Sequence, residues 1–145
     1  MNRIWKIVAA AAVVLLAAGC AAKKGFEQPG FAFGCPVGDA KVSSMDDLVR
    51  TKVVSEGRRT TIQATEMRCS KTGELLKVDA NLNNDSRSVK RLAYKFRWID
   101  REGMRAWDEE PWKPLMLYEN SNLVINTVSP TNKAVDFRLI LRSEE

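Results

Sequence analysis

Residues 91–98 read RLAYKFRW, and this stretch decides the fold class of the 145-residue chain. Its even-numbered positions are apolar or aromatic, and its odd-numbered positions are basic or small. Alternate residues of a β-strand face opposite sides of a sheet. The period of two therefore predicts a strand with a buried aromatic face and an exposed basic face. The strand is expected to end at the turn formers of residues 100–103, which read DREG.

The same alternation recurs along the chain beyond residue 51. Residues 76–82 alternate before the turn-forming run NNDS, and residues 123–127 and 135–141 repeat the pattern. With residues 60–69 and a short piece at 104–107, they make six or seven short strands. This spacing predicts an all-β fold, an immunoglobulin-like antiparallel β-sandwich, with a small barrel as the alternative. A short helix is expected at 44–49, where Ser44 would cap the first turn together with Asp47.

The first 20 residues indicate export. Arg3 and Lys6 precede an uncharged apolar run that is shorter than the stretch of about 20 residues that spans a bilayer. The run ends in LAAGC at 16–20, which resembles the lipobox of bacterial lipoproteins, whose signal is cut before a cysteine that then carries acyl chains. The resemblance implies that Cys20 is this cysteine. Ala21 stands where many inner-membrane lipoproteins carry Asp, so the periplasmic face of the outer membrane is expected. An ordinary signal peptide or an uncleaved anchor is the alternative.

The predicted organisation has three parts: a signal peptide at 1–19, a lipid anchor with a flexible tether at 20–40, and a β-sandwich domain at 41–145. The tether is rich in Gly and Pro and shows no periodicity. Cys35 and Cys69 form an even pair in a chain bound for an oxidising compartment, so a disulfide between them is expected. Two free thiols are the alternative.

Composition excludes most catalytic chemistry. The chain contains no histidine, which removes Ser-His-Asp and Cys-His catalysis and the usual zinc ligand. The acidic run at 108–110 puts its carboxylates on one loop, whereas a glycosidase needs acids on both sides of a bound sugar. Phosphate-binding glycine loops and cofactor motifs are absent from the sequence. We therefore expect no enzymatic activity, cofactor or metal, and an exported chain of net charge +5 is not expected to bind nucleic acid.

Several segments resemble the YcfL-like family of periplasmic lipoproteins. They read LKVDANLNN at 76–84, YKFRWID at 94–100 followed by Gly103, Trp112, Ser129-Pro130, and AVDFRL at 134–139. The resemblance spans roughly residues 60–142. It implies a sandwich similar in plan to immunoglobulin domains, behind a lipobox. It implies no activity, because the family is uncharacterised.

The basic face of the central strand is the first predicted binding surface. It carries Arg91, Lys95 and Arg97, and Arg138 and Arg142 of a later strand could extend it. Such a surface would meet an anionic partner, either an acidic protein face or the phosphates of lipopolysaccharide. A solvated outer face without a partner is the alternative.

Trp107 and Trp112 form the second predicted binding surface, in an irregular segment beside the acidic run. Exposed tryptophan is enriched at interface hot spots, and aromatic faces also stack on sugar rings. Prolines on both sides of Trp112 favour an irregular loop, so Trp112 is expected to be the more exposed. Burial of both rings in the core is the alternative. The expected partners are membrane lipid, through acylated Cys20, and an envelope protein, with peptidoglycan or lipopolysaccharide as the alternative.

Overall fold

The computed structural model of the protein describes residues 30–38, 41–58 and 60–144. The expected signal peptide, Cys20 and the first part of the tether lie outside the described residues. Within the described ranges, no helix has the length and apolar character needed to cross a membrane.

Two β-sheets dominate the structure, as the alternation predicts. The strands and the helix, in chain order, are β1 Gly30–Ala32, β2 Cys35–Gly38, α1 Met45–Lys52, β3 Val53–Ser55, β4 Gln63–Thr72, β5 Leu75–Asn84, β6 Lys90–Ile99, β7 Lys113–Leu117, β8 Ser121–Val128 and β9 Asp136–Ser143. One sheet has the strand order β4-β5-β8, and the other has β3-β9-β6-β7. The fold is an all-β sandwich, and six of the described strands have five or more residues. Among all the described strands, β3 alone departs from antiparallel pairing, since it runs parallel to β9.

The aromatic face of β6 forms the centre of the core. Phe96 and Trp98 are almost fully buried, and their rings stack with centroids 5.7 Å apart. Phe137 of β9 is paired with Trp98 across the sheet and lies 6.1 Å from the Phe96 ring. β6 lies between β9 and β7, and its inner face shares the core with Val78 and Leu82 of the opposing sheet. This position explains why its alternation is the clearest in the chain.

The turn formers after β5 also serve the core. Asn84 is fully buried, and its amide nitrogen donates to the carbonyl oxygens of Ser88 at 2.9 Å and Tyr118 at 2.7 Å. Its side-chain oxygen accepts a hydrogen bond from the backbone N–H of Ser86. These bonds hold the β5–β6 turn to the corner that joins β7 to β8, and they satisfy a polar group that would be costly to bury alone.

The expected helix is present and is longer than predicted. Ser44 is its N-cap and accepts a hydrogen bond from the backbone N–H of Asp47 at 3.1 Å. Hydrogen bonds from Ser43 and Ser44 lower the pKa of Asp47 below its usual value. The helix continues to Lys52 and leads directly into β3.

Residues 30–38 correct the prediction of a flexible tether over 20–40. They form a two-stranded hairpin whose Cys35 and Val37 are buried, and the Cys35–Cys69 disulfide joins this hairpin to β4. Gly34 has a φ of 79°, and a Cβ there would lie 2.5 Å from the carbonyl oxygen of Cys69. Only glycine permits this close approach. The strands of the hairpin are too short to show the alternation by which the longer strands were predicted.

The predicted short strand at 104–107 is wrong. The segment forms one isolated bridge, between Ile99 and Arg105, and its other residues form bends. A backbone hydrogen bond from Ala106 to the carbonyl of Trp98, at 2.9 Å, also holds it against the end of β6.

Candidate functional site

The segment that follows β6 folds back over the outer face of the four-stranded sheet. Trp112 lies there, partly buried, with the Lys95 Nζ 4.3 Å and the Arg142 Cζ 4.2 Å from its ring centroid. Both cations come from neighbouring strands, β6 and β9. Cations over an aromatic face are attracted by the negative charge density of the ring, and more strongly when water is excluded. Trp112 is therefore held by the structure rather than offered to a partner.

Lys95 is committed in the same way. Only 5% of the residue is exposed, and its ammonium donates a hydrogen bond to the Glu109 carboxylate. The hydrogen bond and charge of Lys95 lower the pKa of Glu109 below its usual value. Lys95 therefore already has a carboxylate partner, and an anionic ligand would have to compete with Glu109 for its ammonium group.

Glu110 links the same segment to the core. It accepts a hydrogen bond from the Trp98 indole N–H at 2.7 Å and another from Lys113 Nζ at 3.1 Å. The indole N–H of a buried tryptophan needs an acceptor, and Glu110 supplies it from outside the sheet. Two carboxylates of the acidic run thus have structural partners.

Trp107 is the exposed aromatic of this region. It is 48% exposed, and with Arg97, Arg105, Asp108 and Glu109 it lines a small depression at the end of β6. We call Arg97, Arg105 and Trp107 the Trp107 surface. The bridge at Arg105 fixes the segment that carries the ring, so the ring projects from an ordered backbone.

The predicted basic surface is therefore divided. Arg91 and Arg97 are exposed, but Lys95 is buried and Arg142 lies over Trp112. Arg138 stands opposite Arg97 across the strands and pairs with Asp136 at 3.3 Å. The alternation identifies the outer face correctly. It does not show that a later segment covers half of that face.

The predicted order of exposure of the two tryptophans is wrong, because Trp107 is the more exposed one. The prolines do give an irregular loop at Trp112, but the cations beneath it attract the ring. The sequence did contain a signal for the burial of Trp112. When a tryptophan and a glutamate lie in one loop, the tryptophan can stack on an outward-facing lysine such as Lys95, and the glutamate can pair with it.

Sequence reasoning also missed a buried ion pair. Lys52 is fully buried at the end of α1, and its Nζ lies 2.6 Å from Asp136 Oδ1. Burial lowers the pKa of Lys52 below its usual value, while the hydrogen bond and charge of Asp136 act in the opposite direction. The pair joins α1 to β9, which no local pattern in either segment indicates.

The outer face of the three-stranded sheet carries a second, open depression of about 400 Å³. Its charges pair with one another, Arg68 with Glu66 at 2.6 Å and Lys77 with Asp79 at 3.9 Å. Nowhere in the described part of the chain do three or more acidic or cysteine side chains gather as metal ligands.

Comparison with known proteins gives a family but no activity. A family model described as "Protein of unknown function (DUF1425)" matches residues 41–143. The crystal structure of a DUF1425 family member from Shewanella sp. pv-4 matches with a TM-score of 0.53 and 26% identity, over 58% of this chain and 79% of that one. Campylobacter jejuni cj0090 matches in fold, with a TM-score of 0.56 and 19% identity, over 64% of this chain and 98% of that one. No curated protein matches.

Proposed function

The chain belongs to the DUF1425 family, whose function is unknown, and we propose that it is a lipid-anchored interaction module of the bacterial outer membrane. In this proposal Cys20 carries the acyl chains, the domain faces the periplasm, and the Trp107 surface docks an envelope protein. The module acts by tethering and binding, without catalysis.

The exposure of Trp107 is the observation that carries the docking proposal. A ring that is 48% exposed on a fixed backbone offers a large apolar contact at a small cost in conformational entropy. Tryptophan and arginine are the residues most enriched among interface hot spots, and Arg97 and Arg105 flank the ring. Arg97 is exposed and can pair with a carboxylate of the partner segment, while Asp108 and Glu109, which line the same depression, favour basic groups beside it.

The anchor rests on sequence. The apolar run that ends at LAAGC resembles a lipobox, and the finer resemblance to the YcfL-like family of periplasmic lipoproteins supports the same location. Two or more acyl chains hold a protein stably on a membrane, whereas one gives only marginal binding. Ala21 after the modified cysteine favours the outer membrane over the inner one.

Cys20→Ala tests the anchor. The variant is expected to accumulate as a soluble form or an uncleaved precursor, measured by membrane fractionation and by the mass of the mature chain. A mature form that stays bound to the membrane as in the wild type would contradict lipidation at Cys20.

Photo-crosslinking in living cells tests the docking surface. A photoreactive residue at position 107 is expected to give a discrete protein adduct, identified by mass spectrometry. A matched probe at position 112 samples the partly buried ring of the same segment, and one at Lys77 samples the other sheet. Both controls are expected to give no such adduct. Equal adducts at all three positions, or none at 107 in the folded protein, would contradict docking through Trp107.

Arg97→Glu separates an acidic protein partner from the glycan alternative. It is expected to weaken the adduct at 107, because it replaces attraction by repulsion. If the chain instead sediments with isolated sacculi and yields no protein adduct, the partner is peptidoglycan and the docking proposal is wrong.

A further inference from the structure

One edge of the three-stranded sheet is open. β8 pairs with β5 on one side, and no strand within 30–38, 41–58 or 60–144 pairs with it on the other. Ile125 is its one buried residue. Val124 is 56% exposed, and Leu123, whose alternation points it toward the core, is also exposed. An inward-pointing leucine stays exposed only where nothing covers the edge.

The main-chain groups of β8 are arranged for pairing on the open side. The backbone N–H of Ser129, just after β8, donates to the Leu76 carbonyl on the β5 side at 2.8 Å. Along an antiparallel strand, successive residues direct their N–H and C=O groups to opposite sides. The groups of Asn122, Val124 and Asn126 therefore point to the open side, where they present donors and acceptors to another strand.

β8 lacks the features that protect sheet edges. Such edges are usually short, charged, interrupted by proline or covered. β3 has three residues, and β7 carries Lys113 and Pro114. α1 and β2 pack beside β4, which also carries charges. β8 is eight residues long and reads SNLVINTV, with no charge, proline or glycine. A strand of this composition pairs readily with another of its kind.

We propose that the open edge of β8 binds β8 of a second copy of this chain, antiparallel, about a two-fold axis through Val124. Val124 then lies opposite the second copy's Val124, and Leu123 lies opposite its Ile125. Asn122 lies opposite Asn126, so apolar side chains meet apolar ones on both faces and amides meet amides. The outward-pointing groups of three residues per strand form about six main-chain hydrogen bonds across the interface.

The charge distribution selects a second copy over an unrelated strand. Near a two-fold axis each residue lies close to its own counterpart, so a charged strand paired with a second copy of itself would oppose like charges. An uncharged strand paired with itself opposes none. It also offers no charge by which a different protein could be recognised, whereas its apolar and amide positions match themselves under two-fold symmetry. β8 belongs to the other sheet from the Trp107 surface, so this proposal and the docking proposal fail independently.

Sedimentation velocity of the full chain in mild detergent tests the proposal. The wild type is expected to change from monomer to dimer as its concentration rises. Val124→Lys places two ammonium groups opposite each other on the axis and is expected to raise the dimer dissociation constant at least about tenfold. The matched control is Val54→Lys, because Val54 is 45% exposed on β3, an edge of the other sheet. A wild type that stays monomeric throughout, or equal effects of the two lysines, would overturn the proposal.

Cysteine substitution tests the register without adding charge. Directly opposite residues of a hydrogen-bonded pair have Cα atoms about 5.5 Å apart, within the range of a disulfide. Val124→Cys is therefore expected to form a covalent dimer on mild oxidation. Asn122→Cys, on the same strand, should not, since its two copies would stand four residues apart along it. Equal crosslinking at both positions, or none at 124, contradicts pairing about Val124.

Discussion

The buried pair of Lys52 and Asp136 gives the sharpest test of how the helix is joined to the sandwich. Lys52 has no exposed surface, and the side chain of Asp136 is 13% exposed. Asp136→Asn keeps the shape and removes the charge. Lys52 then stays buried without a counter-ion, and we expect the free energy of unfolding at pH 7 to fall by about 3 kcal/mol.

The loss in the free energy of unfolding caused by Asp136→Asn can be bounded from both sides. Removing one partner of a buried ion pair costs about 3 to 5 kcal/mol, and the new amide oxygen still accepts a hydrogen bond, which favours the lower value. Lys52 can also lose its proton. At pH 7 this costs about 1.36 kcal/mol for each of the roughly 3.4 pH units below the usual lysine pKa, so the cost of burying the unpaired charge is limited to about 4.6 kcal/mol.

The same reasoning predicts the pH dependence. In the variant the pKa of buried Lys52 falls further, so the unfolded chain binds more protons than the folded one. The free energy of unfolding relative to that of the wild type therefore rises with pH between the Lys52 pKa of the folded variant and that of the folded wild type, by up to about 1.4 kcal/mol per pH unit. At pH values below the Lys52 pKa of the variant, the loss in the free energy of unfolding has its full value.

Urea unfolding of the purified protein measures these effects. With a slope of about 2 kcal/mol per molar urea, Asp136→Asn should lower the midpoint by about 1.5 M. Lys52→Met is the control, because Asp136 keeps its bonds to Arg138 and to the Phe137 N–H. In that background the asparagine should cost about 1 kcal/mol or less. An equal cost in both backgrounds, or a single-variant loss under about 1 kcal/mol, refutes the reasoning.

Three further predictions concern the hairpin and the folded-back segment. Replacing both Cys35 and Cys69 by serine should lower the free energy of unfolding by about 3 to 4 kcal/mol, since the bridge closes a 34-residue separation; urea unfolding would show a loss under about 1 kcal/mol if the disulfide contributes little. Gly34→Ala should lower the melting temperature more than Gly38→Ala, because both have positive φ but only the first meets a backbone oxygen; equal shifts would contradict the close approach. Trp112→Ala should cost about 2 kcal/mol through two lost cation contacts, and an unchanged thermal midpoint would show that the ring stabilises nothing.

Sequence reasoning succeeded where one segment carries the whole signal. The alternation of β5, β6 and β9 predicted each strand and its inner face, and Ser44 predicted the start of the helix. The disulfide was also predicted, from the parity of the cysteines. Each of these features depends on the backbone geometry of neighbouring residues or on a simple count.

Sequence reasoning failed where a structural feature depends on contacts with a distant segment of the chain. The hairpin at 30–38 depends on the approach of Gly34 to β4, and the exposure of Trp107 and Trp112 depends on which ring the cations of β6 and β9 attract. The expected lipid anchor at Cys20 and the docking of a partner remain predictions.

The sequence by itself determined the fold class, because the alternation of inward-facing and outward-facing side chains in a strand can be seen in consecutive residues. The order of the strands could not be predicted in this way, because hydrogen bonds between strands join residues far apart in the chain. No local pattern indicates which strand pairs with which. Only the tertiary structure therefore showed that Lys95 is covered, that Trp107 is exposed and that β8 forms an open edge. The exposure of Trp107 and the open edge of β8 carry the functional proposals, because binding depends on which groups remain accessible after the distant segments have packed.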